Sequence, residues 1–362
     1  MRVGVLTLPL HHNYGGILQA YALQRSLSQL GFEAYLINRL HPSKQRRLKD
    51  GIARLIHILI LETHTRRFIR KYLKPRTGAI TTESDMQDVV RKYSLDAIVV
   101  GSDQVWRLEY SLDIAFNFFL DFVGNSALKK IAYAASFGVD HWSHPDATTS
   151  RIRDLLARLD VISVREDSGV AICRDSFGVD AVQMIDPTLL LRRDDYLKLI
   201  GDVTDEISPK VLTFYLIDRS EEKMEVVRKV AARTGLLPRS ISVKMRFSER
   251  TSPRVWDCVY PKVTDWIRGF QDAGCVVTDS FHGVLFCLIF NRPFVAVGND
   301  ARGLARFQST LELFHLSNRL VTNASEVSDE LLDENIDFGI VNEIREAKRS
   351  EALQFLTQSL AI

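Results

Sequence analysis

Cysteine is scarce in this chain, with four in 362 residues, Cys173, Cys258, Cys275 and Cys287, and no two form a CxxC pair. That spacing supports neither a disulfide framework nor a zinc site, so free thiols in buried elements are expected. The nine histidines show no HExxH or comparable ligand spacing, and the neighbours His11 and His12 are poorly placed to converge on one ion, so no metal is predicted. No apolar run reaches the length of a membrane span, and the opening MRVGVLTLPL reads as a strand without a signal peptide's cleavage region. A cytoplasmic protein is therefore expected. The glycine-rich signatures of nucleotide binding are also missing. The first strand is not followed by GxGxxG, and no GxxxxGK with a following Ser or Thr occurs, which excludes the dinucleotide fingerprint and the P-loop.

What is present is a soluble αβ pattern. Hydrophobic residues make up 46% and charged residues 25%, ordinary for a globular protein, and 362 residues exceed what one core usually supports. Strands are predicted at 2–8, 33–38, 95–101, 130–134 and 161–164, with a helix at 15–30 and another starting near Asp167. The motif IDPTLLL at 185–191 closes the first unit, and a polar stretch from Arg192 to Pro209 follows. A second alternation runs through 211–216, 241–243, 275–278 and 294–297, with a last helix at about 342–360. The economical architecture is α/β, two doubly wound Rossmann-like domains with a cleft between them, 1–193 and 194–362, the final helix packing back.

The net charge of +2 conceals an asymmetry. Between Arg39 and Arg76 twelve Lys or Arg face only Asp50 and Glu62, a local balance of +10 that leaves −8 for the remainder. Within this basic insertion, 39–76, the run GIARLIHILIL at 51–61 is apolar and too short to span a bilayer. Two readings stand: peripheral contact with an anionic membrane at the inner face of the plasma membrane, or a core helix with solvated basic flanks. Nucleic acid is not expected as a partner, because the segment has few aromatics for stacking and no recognised binding module.

Chemistry concentrates in the turns after predicted strands. CVVTDSFHGVLFCLIFNRPFVAV, residues 275–297, reads as strand, polar turn, apolar helix and strand, with only the turn facing solvent. Asp279 or Ser280 can cap the helix, whose first N–H groups favour phosphate or carboxylate. His282 lies in that turn, where open parallel sheets bind ligands, and histidine exchanges protons near neutral pH. A histidine there also serves simply to hydrogen-bond the turn. In HHNYGGILQAYALQ the paired Gly15 and Gly16 open a helix beside Asn13 and Tyr14, which points to close approach by a ligand or neighbouring domain. GSDQVWR places Ser102, Asp103 and Gln104 beside Trp106, a mixture suited to a sugar ring or, alternatively, a cap with a core tryptophan. Arg165, Arg302 and Arg306 follow strands, where arginine suits bidentate recognition of carboxylate or phosphate, or forms surface ion pairs.

NYGGILQAYALQ, VGSDQVWR, SVREDSG and VVTDSFHGVLFCLIFNRPFVAVGN followed by RxxxR together resemble the polysaccharide pyruvyl transferase family, over roughly residues 10–320. The resemblance implies a fold similar to the GT-B glycosyltransferases and transfer of a pyruvyl group from phosphoenolpyruvate to a sugar, as a cyclic ketal. It implies His282 and Arg165 as catalytic residues, and Ser280, Gly283, Arg302 and Arg306 on the donor side. Asn13, Tyr14, Asp103, Gln104 and Trp106 are the expected acceptor side. No cofactor beyond the donor is implied, and a lipid-linked, free or polymeric saccharide fits as acceptor. Family members carry arginine and leucine directly before the histidine, whereas this chain has Ser280 and Phe281. The donor charge would then come from Arg302 or Arg306, or the donor differs. A nucleotide-sugar transferase in the same fold and a non-catalytic membrane scaffold are the alternatives.

Overall fold

The computed structural model describes residues 1–41, 60–124, 127–201, 210–244, 255–298 and 303–361. Two compact units divide the chain: Met1–Gly51 with Ile69–Leu190 and Ala347–Ile362, and Ile52–Phe68 with Leu191–Glu346. The chain divides after Leu190, and residues 347–362 group with the first unit and 52–68 with the second. Contacts within each unit give the reason. Arg349 Nε donates to the Leu190 carbonyl at 2.7 Å and Phe355 packs against Tyr133, while Tyr260 N donates to the Leu61 carbonyl at 3.0 Å. The basic insertion is thus shared between the units, and its residues 42–59 lie outside the described residues.

The first unit holds β1 (Arg2–Leu6), β2 (Glu33–Ile37), β3 (Ala97–Val100), β4 (Lys129–Ala135), β5 (Val161–Val164) and β6 (Val182–Gln183). They form a six-stranded sheet in the order β2-β1-β3-β4-β5-β6, parallel throughout. The second unit holds β7 (Val211–Tyr215), β8 (Leu237–Ser240), β9 (Cys275–Thr278), β10 (Phe294–Val297) and β11 (Leu320–Val321), also parallel, in the order β11-β10-β9-β7-β8. Strands covered by helices on both faces need uninterrupted apolar runs, and β3, β9 and β10 are buried at every residue. Each sheet reverses direction once. The chain leaves β1 for β2 on one side and later enters β3 on the other, and β7 stands likewise between β8 and β9. Crevices form at the carboxyl ends of strands at such switch points.

One strand is displaced from its expected place. Pairing falls on Leu237–Ser240 instead of 241–243, and all four of those residues are exposed. As an edge strand β8 needs only its partner β7, and Pro238, which lacks an N–H, is tolerated there. The two-residue strands β6 and β11 carry too few residues for any alternation to reveal them.

The helix Phe281–Phe290 is apolar all round because all ten of its residues are buried. Phe286 meets Tyr196, Trp266 and Phe270 at ring-centroid distances of 5.0, 4.9 and 5.8 Å. Phe286→Ala is expected to destabilise the protein by about 3–5 kcal/mol in denaturant unfolding. A loss below about 1 kcal/mol would mean that the cluster does not hold this helix.

All four cysteines are free and buried. Burial pushes the Cys173 thiol up to about 12 and the Cys275 thiol up to about 11, and holds Cys287 well above its ordinary value. Since the thiolate is the reactive form, these three should resist Ellman's reagent in native protein at mildly alkaline pH and react after denaturation. Rapid native labelling of any of them would contradict this packing.

Candidate active site

In the second unit the turn after β9 is built by its own side chains. Ser280 is the N-cap of the Phe281–Phe290 helix, its Oγ accepting from Gly283 N at 3.3 Å, and Ser280 N donates to Thr278 Oγ1 at 3.1 Å. Gly283 is required by close approach: a Cβ there would stand 2.3 Å from Thr278 Oγ1 and 3.0 Å from Thr278 Cβ. Packing of helix against strand therefore explains this glycine without a ligand. Asp279 faces the other way, accepting from Ile217 N at 2.6 Å, Asp218 N at 3.1 Å and Lys223 Nζ at 2.7 Å. This carboxylate ties the exit of β7 to the exit of β9, the two strands of the switch point. The turn does not face solvent as expected: Asp279, Ser280, Phe281 and His282 are all buried.

His282, 6% exposed, stands edge-on to Phe281 with ring centroids 5.5 Å apart. Arg306, in the Ala305–Leu313 helix, lies over the same Phe281 ring at 5.6 Å. Phe281 thus brings the imidazole and a guanidinium to the same neighbourhood. Arg302 lies outside the described residues.

In the first unit the corresponding turns follow β1 and β3. Asn13 caps the Tyr14–Gln29 helix through Oδ1, which accepts from Gly16 N at 3.2 Å, while Tyr14 is buried. A Cβ on Gly16 would lie 3.3 Å from Asn13 Nδ2 and 3.4 Å from Asp103 Oδ2, so this glycine lets the helix start approach the β3 turn. Asp103 has φ of 73°, a left-handed conformation aspartate tolerates, and its Oδ1 accepts from Gln104 N at 2.9 Å. Gln104 Oε1 in turn accepts from Arg107 at 3.1 Å, with the Gln104 side chain laid across Gly138. Asn13, Gly16 and Asp103 are thereby brought together, with Gln104 next in the chain.

Two expectations change on this side. Trp106 is fully buried, donates from Nε1 to the Phe118 carbonyl at 2.9 Å and stacks on Phe119 at 5.5 Å, so it is a core residue and offers no face to a sugar. The Arg165 side chain is 2% exposed and pairs with Asp186 at 2.9 Å and Glu166 at 3.3 Å. Glu166 also accepts from Ser136, and Asp186 from Ser102 and Thr188. Its carboxylates hold the Arg165 guanidinium above its already high ordinary pKa despite burial. Arg165 therefore organises the loops after β3, β4 and β5 and is not an open anion clamp. The sequence pattern offers Asp279 only as a possible helix cap, a place the structure gives to Ser280, and does not single out Asp186. An aspartate directly between strand and capped helix was the available signal for Asp279; nothing local marked its partner Lys223.

Two parallel sheets with interleaved helices, each carrying candidate residues at its own switch point, define an α/β fold of two Rossmann-like units. Solved structures agree on the fold: a glycosyltransferase from Rickettsia africae ESF-5 is similar at TM-score 0.56 and 9% identity over 99% of both chains. UDP-GlcNAc 2-epimerase from Neisseria meningitidis bound to UDP-GlcNAc is similar at TM-score 0.54 and 9% identity, again over 99% of both chains. UGT89C1 from Arabidopsis thaliana complexed with quercetin is similar at 0.51 and 11%, over 100% of this chain and 99% of that one. Comparison with curated proteins matched none. The polysaccharide pyruvyl transferase pattern matches residues 13–301, and the chain belongs to that family.

Proposed function

We propose that this protein transfers a pyruvyl group from phosphoenolpyruvate to a sugar of a polysaccharide or its precursor, leaving a cyclic ketal across two hydroxyls. Family membership supports the reaction class. The observation that carries the reading is His282, fixed on a capped turn at the switch point of the second sheet. The donor's methylene carbon takes a proton, the carbon bearing the phosphate becomes electrophilic, and a sugar oxygen adds as its proton leaves. The second hydroxyl then displaces phosphate, which departs with the electrons of its C–O bond and takes up that hydroxyl's proton. The products are the ketal and inorganic phosphate. His282 acts as the acid toward the methylene and then as the base toward a hydroxyl. Arg306 holds the donor's anionic groups, aided by the start of the helix that Ser280 caps. Asn13, Tyr14, Asp103 and Gln104 serve the acceptor, and Arg165 positions their loops.

The test is incubation of the purified protein with phosphoenolpyruvate and a panel of galactosides and N-acetylhexosamines, following phosphate release and product mass. Ketal formation with any acceptor supports the reading. Absence of both turnover and phosphoenolpyruvate binding by calorimetry overturns it. The UDP-sugar bound to the Neisseria relative makes nucleotide-sugar transfer the second reading, tested by replacing the donor with UDP-sugars.

A further inference from the structure

The first unit carries a cationic face that the reaction does not use. The Tyr14–Gln29 helix contains no acidic residue, and neither does the Thr63–Tyr72 helix. Tyr21 of the former meets Tyr72 of the latter edge to face, with ring centroids 6.4 Å apart at 83°. Gln24 Nε2 donates to the Pro75 carbonyl at 2.6 Å, which fastens the segment after Tyr72 beside the first helix. Around this junction stand Arg25, one turn beyond Tyr21, and Arg70, Lys71 and Lys74, all four exposed. Among the described residues none of the four forms an ion pair.

We propose that this face docks on an anionic bilayer surface, with the four cations meeting lipid phosphates. Like charges gathered without counter-charges repel one another, and an anionic partner relieves that repulsion; each such cation near an anionic bilayer contributes on the order of fivefold to binding. The aromatic arrangement favours lipid over nucleic acid. Base stacking needs open ring faces, whereas Tyr21 and Tyr72 are half-buried against each other and Lys71 Nζ lies 4.7 Å over the Tyr72 ring. Half-buried tyrosines flanked by cations suit the headgroup layer.

The experiment is sedimentation of the full chain with phosphatidylcholine vesicles, with and without phosphatidylglycerol. Binding should require phosphatidylglycerol, weaken as salt rises, and fall by at least roughly 100-fold in a variant combining R70E, K71E and K74E. R25E alone should weaken binding about fivefold, and circular dichroism of both variants should match the parent. Equal binding to neutral vesicles, no binding to anionic ones, or undiminished binding by the folded triple variant overturns the proposal. Tighter binding of an oligonucleotide than of anionic vesicles at the same salt overturns it as well.

Discussion

Replacing His282 by alanine is expected to lower pyruvyl transfer by about 10²–10⁴-fold, the range supplied by a positioned general acid and base. Phosphoenolpyruvate binding, measured by calorimetry, should be nearly unchanged, because the donor's charges are assigned to Arg306 and the helix start and not to the imidazole. The alternative role of His282, a hydrogen-bonding group of the turn, predicts a different pattern. A merely structural histidine would lower stability and donor affinity together, since Ser280 and Gly283 share its turn. Unchanged turnover in a folded His282→Ala variant removes the residue from the mechanism. A parallel fall in stability, donor binding and turnover reassigns it to the fold.

Asp279→Ala is expected to have the largest effect on stability near the site, a loss of about 3–5 kcal/mol. Its side chain is fully buried and accepts two backbone N–H groups and the Lys223 ammonium, so removal strands two donors and leaves the ammonium only the half-exposed Asp218 at 3.7 Å. Asp279→Asn keeps the shape and one accepting oxygen and should lose less. The double variant with Lys223→Met should recover part of the loss, because it no longer buries an ammonium that has lost its nearer carboxylate. Denaturant unfolding of the parent, Asp279→Ala, Lys223→Met and the variant combining both gives the coupling energy. Turnover should fall in Asp279→Ala even where the protein stays folded, since this carboxylate fixes the turn that carries His282. Additive losses in the double variant would show that Asp279 and Lys223 act separately.

The two candidate clusters differed in how far they could be read. The His282 turn was legible because its grammar is local: an apolar strand, a capping serine, a close-packed glycine and an apolar helix occupy adjacent positions. Trp106 was ambiguous for the opposite reason. An indole after Ser102, Asp103 and Gln104 fits a sugar platform or a core, and only Phe118 and Phe119, far enough along the chain to fold back, settle it. Arg165 looked like an anion clamp because its partner Asp186 is a strand and a loop away. The β8 strand was misplaced because an exposed edge strand is defined by its partner and not by its own apolarity.

The sequence by itself determined the alternation of strands and helices, the two parallel sheets, the family and the position of His282, all of which rest on periodicity and on contacts between near neighbours. Only the tertiary structure decided which charges are available for chemistry. It closed Arg165 within Glu166 and Asp186, buried Trp106, tied Asp279 to Lys223, and left Arg25, Arg70, Lys71 and Lys74 exposed with no ion pair among the described residues. The reason is physical: whether a side chain is apolar or charged is a property of the residue, but whether its charge is already compensated depends on groups brought beside it from distant parts of the chain.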